Sequence, residues 1–228
     1  MHDCRFSHGR LPPKFEDMDE NTAGPEPVTP TDLGCELGGR LRLLAPEQLT
    51  NPQRELHDRL TASRVSRGNS NGYRASLEDG RLIGPFNAML RIPDIAGPQL
   101  DWVESISSGR LPAAVREVAI LTVATEWNAA YILYAHRISA RVAGVSERTV
   151  AELTAQRTPH GWPVEERLAH QLALALVHDH DVPDELYAEL VGFFGEQRLV
   201  ELVELVGQYL TTSAITTCFR VPAPNDHT

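Results

Sequence analysis

The sequence predicts an all-α fold, and three observations carry that expectation. Residues 113–143 contain neither Gly nor Pro, and a run without breakers reads as helix, here too long for one ordinary globular helix. Apolar residues recur at helical spacing, as with Leu56 and Leu60, or with Leu202, Val206 and Tyr209, which is the period of one buried helix face. No stretch alternates apolar and polar residues for long enough to form a convincing strand. The 228 residues are 42% hydrophobic and 23% charged, an ordinary globular mixture able to bury a sizeable core.

Taken in order, residues 1–40 are expected to be a flexible N-terminal extension, because Pro25, Pro27 and Pro30 interrupt them and no apolar periodicity develops. Residues 41–228 form the single expected domain. "PEQLTNPQRELHDRL" opens a helix with Thr50 or Asn51 as cap and Pro52 in its first turn. "SRVSRGNSNGYRASLEDGRLIGPFNAML", rich in Gly, Ser and Asn, reads as a loop ending at Gly84-Pro85. A short helix over 86–91 and a second near 94–107 follow. The run after Pro112 divides near Asn128, a good N-cap, into helices 112–126 and 129–143. Gly144 then ends the second of these and Ser146 caps the next. Further helices start at Pro163 and Pro183.

Composition excludes several classes of partner. The formal net charge is −10 with no Lys/Arg-rich block, which argues against nucleic acid or an anionic membrane surface. No window approaches the ~18 consecutive apolar residues of a membrane span, and the N-terminus lacks the apolar core of a signal peptide, so a cytoplasmic protein is expected. Cys4, Cys35 and Cys218 are widely spaced, fitting a reducing compartment without a disulfide framework.

The two central helices carry the chemistry. Helix 112–126, "PAAVREVAILTVATE", is apolar or small on nearly every side, as a buried helix must be. Glu117 shares a face with Leu121 and Ala124, whereas Glu126 points about 180° away. Glu117 is therefore the carboxylate expected to be buried, where it must pair, accept hydrogen bonds or take up a proton. On the next helix His136 aligns with Ala129, Ile132, Ala140 and Ala143. In an antiparallel hairpin Glu117 and His136 could face each other, and a carboxylate orienting an imidazole is a recurring acid–base unit. The same pair could equally be a satisfied piece of core.

"REVAILTVATEWNAAYILYAHRISARVAGVSERTV" (116–150) resembles the signature of the carboxymuconolactone decarboxylase and alkyl hydroperoxidase D-like superfamily: an Arg-Glu start, an apolar helix, and a second helix reaching His before a small-residue turn and Gly. "DGRLIGPFNAMLRIP" and "LVELVELVGQYLTTSAITTCFRVPAP" resemble its decarboxylase-like branch. The resemblance implies a multi-helix bundle with a central helical hairpin that assembles as a dimer, trimer or hexamer. It also implies a pocket where the histidine helix meets its neighbours. Where the peroxidase branch has CxxC, this chain has Ala129 and Ile132, so thiol peroxidase chemistry is not expected. Where the decarboxylase-like branch carries "YELYAH", it has "YILYAH", with Ile132 in place of the acid.

On this basis His136 and Glu117 are the expected catalytic pair, and Tyr131, Asn87, Arg91, Phe86, Tyr209 and Ile132 the expected substrate contacts. Arg91 is a candidate carboxylate anchor through its planar fork; a surface arginine is the alternative. Phe86 could line a pocket or belong to the core. "HDHD" at 178–181 does not match a recognised zinc spacing with His170 and reads as a solvated helix end. Neither a metal nor an organic cofactor is expected. The expected function is a cofactor-independent lyase or isomerase acting on a small oxygenated or carboxylated molecule by decarboxylation, lactone opening, dehydration or cyclisation. A binding or scaffold protein of the same fold is the alternative. A peroxide-handling oxidoreductase comes third and would need Cys218 or Cys35 beside His136, although Cys218 reads as a core thiol.

Overall fold

The structure, a computed structural model, describes residues 37–157 and 160–224. The expected extension falls, but for its last four residues, outside the described range. Those four form a turn laid across the end of the last helix: the Arg40 N–H donates to the Phe219 carbonyl at 2.7 Å.

The chain folds as helices, with a single antiparallel bridge between Ser76 and Leu82 among the described residues. In order they are α1 Asn51–Leu60, α2 Ser66–Asn71, α3 Pro85–Met89, α4 Pro93–Ser107, α5 Ala113–Glu126, α6 Ala130–Val142, α7 Glu147–Thr154, α8 Val164–Leu174 and α9 Asp184–Cys218. Thr50 is the cap of α1, and the Gln53 side chain reaches back to accept from its N–H at 3.0 Å. Ser146 caps α7 by accepting from the Thr149 N–H, as its residue type requires. Pro163 and Pro183 immediately precede α8 and α9. Gly195, at φ 72 and ψ 160, breaks α9 into two helices.

Two sequence expectations are corrected. The Gly/Ser/Asn-rich stretch does not begin as a loop: α1 continues through a π-helical turn, Thr61–Val65, into α2. Gly68 is buried in α2 because a Cβ there would lie 2.9 Å from the Tyr73 ring, so this glycine serves close packing. Asn128 does not cap α6. It adopts the left-handed conformation, φ 49, and closes α5 in a Schellman turn, with Asn128 N–H donating to Thr125 and Ala129 N–H to Ala124. Ala129 is the residue preceding α6.

Helix α5 is the axis of the fold. Every residue from Val118 to Ala124 is buried, and α6, α8, α9 and α7 pack around it. The core extends from Leu43 to Val221. No helix of the described residues is long and apolar enough to cross a membrane.

Candidate active site

The tight turn at Asn128 folds α6 back along α5, bringing the first turns of α5 level with the middle of α6. Glu117 and His136 meet there. The Nδ1 atom of His136 lies 2.7 Å from Glu117 Oε2, and both side chains are 15% exposed. From α9 the Tyr209 hydroxyl lies 3.2 Å from His136 Nε2, with the rings edge to face at 88°. The imidazole is thus held at both nitrogens. With the carboxylate ionised, Nδ1 carries the proton and donates to Glu117, leaving Nε2 as the acceptor for the Tyr209 O–H. Burial, reinforced by the negative charge of Glu117, pushes the Tyr209 hydroxyl far above the ordinary tyrosine range, so it remains a neutral donor.

Glu117, His136 and Tyr209 line a cavity of about 130 Å³ bounded by α1, α2, α3, α4, α5, α6 and α9. Phe86 and Ile132 form part of its apolar wall. Ile132 is buried one turn before His136 and presents hydrocarbon to the cavity. Tyr131 also lines the cavity, but its hydroxyl donates to the Arg74 carbonyl at 2.8 Å and the ring lies against Gly84. It shapes the wall with its polar end already engaged.

Asn87 and Arg91 are not brought to the cavity. Asn87 is buried, accepts from the Leu44 N–H and donates to the Leu41 and Arg42 carbonyls, clamping the chain segment before α1. Arg91 donates to the Asn87 and Arg42 carbonyls at 2.6 and 2.5 Å. Its fork is occupied by backbone, and burial lowers its pKa.

Several polar groups in the cavity escaped the sequence reading, among them Arg64, Arg67, Arg116 and Gln208. Arg64, from the π-helical turn, has buried Nε and Nη2 atoms with no hydrogen-bond partner. Burial, then the like charge of Arg67, lowers its pKa, although a guanidinium stays charged under any ordinary condition. Arg67 lines the same space, as does Gln208, whose side chain is buried with Oε1 unpartnered. One signal for Arg64 was present: it follows Leu56 and Leu60 at intervals of four, on the buried face of α1.

On the opposite side of α5, His178 pairs with Glu126, and His170 Nδ1 lies 2.9 Å from Thr122 Oγ1. His178 of the "HDHD" run is therefore tied to α5, and no group of three or more metal-binding side chains occurs among the described residues. Glu126 is 11% exposed and Glu166 6%, so Glu117 is one of several buried carboxylates. Cys218, read as a core thiol, is exposed at the end of α9 and does not line the cavity. Cys35 lies outside the described residues.

Residues 99–174 match the model of the carboxymuconolactone decarboxylase family. No curated protein matches the sequence. Among solved structures, the chain is similar to one described as an alkylhydroperoxidase AhpD core, an uncharacterized peroxidase-related protein from Ralstonia eutropha JMP134. The TM-score is 0.63 at 14% identity, over 82% of this chain and 92% of that one; at that identity the likeness speaks for the fold. The chain thus has an all-α, AhpD-like fold, carries a stretch similar to the carboxymuconolactone decarboxylase family over residues 99–174, and has no CxxC pair in its sequence.

Proposed function

We infer that the protein is an acid–base enzyme of the lyase or isomerase type that acts on a small organic molecule without an organic cofactor. The observation carrying this reading is the Glu117–His136–Tyr209 line at the wall of a cavity. His136 Nε2 is the base: it accepts a proton from the substrate, and the imidazolium so formed is stabilised by Glu117 at Nδ1. The proton returns to carbon or to the leaving oxygen from the same nitrogen. Tyr209, held neutral by its burial, turns its O–H from Nε2 to the oxyanion that develops beside the reacting carbon. Lactone opening by elimination, and dehydration or cyclisation next to a carbonyl, use the transfer in this order; in decarboxylation the C–C bond breaks first, CO2 leaves, and a protonated His136 supplies the proton to the enolate carbon.

A second reading is favoured by one observation, the apolar Ile132 on the cavity wall one turn before His136. There the Glu117–His136–Tyr209 line is a satisfied polar network and the cavity a binding pocket. Turnover decides between them. A panel of lactones and carboxylated ketones and alkenes is followed by proton NMR with the wild type and three variants. His136→Ala should lower kcat by about 10²–10⁴-fold, the usual contribution of one general acid–base group. Glu117→Gln and Tyr209→Phe should each lower it by a smaller factor. Full turnover by His136→Ala would remove the catalytic assignment.

A further inference from the structure

The cavity contains an unmet demand for hydrogen bonds. Nε and Nη2 of Arg64 are buried and without partners, and these two atoms form one edge of the guanidinium, with their N–H bonds nearly parallel. A single edge presented in this way matches the two oxygens of a carboxylate. Two buried guanidinium nitrogens without hydrogen-bond partners are costly to keep, and groups of this kind that persist in a cavity are candidates for ligand recognition.

The local backbone directs Arg64 inward. In the Thr61–Val65 turn the Ser66 N–H reaches the Thr61 carbonyl, five residues back. With the extra residue in the turn, Leu60, Arg64 and Val65 all fall on the inner side: Leu60 and Val65 are buried, as are two of the Arg64 nitrogens. Such π-turns occur frequently at functional sites.

We propose that Arg64 is an anion-binding residue that takes the carboxylate of a small monoanionic acid through its Nε–Nη2 edge. This places the acid beside His136 and rests on the catalytic reading above for its place in the reaction. Three features fix the ligand class. The cavity, about 130 Å³, is close to the roughly 150 Å³ apolar cavity known to hold benzene, so one ring or its acyclic equivalent fills it. Glu117 lines the same space on the His136 side, so a second negative charge at that end of the ligand would be repelled; Arg116 also lines the cavity, with Nη1 donating to the Leu111 carbonyl. Arg67, on the cavity rim, adds positive charge on the Arg64 side, and the unpartnered Gln208 Oε1 offers an acceptor to a hydroxyl of the same molecule.

The test is isothermal titration of the full chain with benzoate, benzyl alcohol and benzenephosphonate. Benzoate should bind the wild type, with benzyl alcohol about tenfold or more weaker. Arg64→Gln should lower benzoate affinity by about tenfold or more, equivalent to 1.4 kcal/mol, and leave benzyl alcohol unchanged. Arg64→Lys, which keeps the charge without the fork, should fall between them and carries the comparison if the Gln variant does not fold. No benzoate binding by the wild type, unchanged affinity in Arg64→Gln, or tighter binding of the phosphonate would each overturn the proposal. Full turnover by His136→Ala alongside lost benzoate binding in Arg64→Gln would remove the catalytic reading and leave the anion site standing.

Discussion

The Tyr131 ring lies against Gly84, where an ideal Cβ would come within 2.3 Å of Tyr131 Cε1, at φ +67. Both the left-handed backbone and the ring require a residue without a side chain. Gly84→Ala should therefore destabilise the protein by about 3 kcal/mol, combining overpacking with positive-φ strain, as a lowered urea midpoint would report. Tyr131 cannot yield easily, since its hydroxyl is bonded to the Arg74 carbonyl and it is among the largest fully buried side chains. Asn87 teaches the same lesson from the other direction. Its place just after a rigid Gly-Pro turn suggested a substrate contact, but a buried amide has four hydrogen bonds to make; residues 41–44 take three and Arg91 Nη1 donates the fourth to Oδ1. Residue type at a turn did not reveal which partner would claim it.

At the scale of elements, the hairpin was legible because Gly, Pro and Asn punctuate it. The division at Asn128 was correctly located and assigned to the wrong helix, since Asn suits both an N-cap and a left-handed C′ position. The π-turn was not legible at all: Gly, Ser and Asn over 66–72 are the residues of a loop, and tertiary packing of Gly68 against Tyr73 overrode them. Deleting Ser63 tests what that turn contributes. The shortened chain should remain helical over 51–71 by circular dichroism, with α-helical spacing throughout, because one residue is the difference between the two turns. Because the π-turn already absorbs the extra residue, residues after the deletion should keep their orientation relative to α1, and the variant should still bind benzoate.

At the scale of the molecule, an all-α class and one central buried helix followed from pattern, whereas the convergence of Arg64, His136 and Gln208 from three helices did not. Helix crossing angles decide which faces meet, and no local sequence signal encodes them. The same packing buries two titratable groups that set the dependence of stability on pH. Glu166 is 6% exposed with Oε2 unpartnered; burial, then the neighbouring Glu165, raises its pKa above 4.5. Its protonated form is favoured on folding, so its contribution is full below pH 4.5 and lost as pH rises through the folded value. Burial lowers the pKa of His170 below 6.5, against a weaker opposing pull from Glu126. Its contribution is full above pH 6.5 and lost as pH falls through the folded value. Glu166→Gln should thus raise the Tm at neutral pH, with the gain shrinking toward pH 4.5, and His170→Gln should flatten the acid loss that begins near pH 6.5. Thermal unfolding across pH 4 to 8 (about one point per half unit) reads both.

The size of the cavity has a consequence for selectivity. About 130 Å³ is the scale of a single ring, and one additional methylene in a filled apolar pocket shifts discrimination by about 1–3 kcal/mol. Phe86, Ile132 and the Tyr131 ring pinned over Gly84 are the stiff part of its wall, while Met89 is the adaptable part. Rejection of bulkier homologues would thus come from steric exclusion at the stiff part of the wall, while acceptance depends on a single charge. The pocket works as a sieve with one electrostatic latch, and widening its substrate range would call first for smaller side chains at positions 86 and 132.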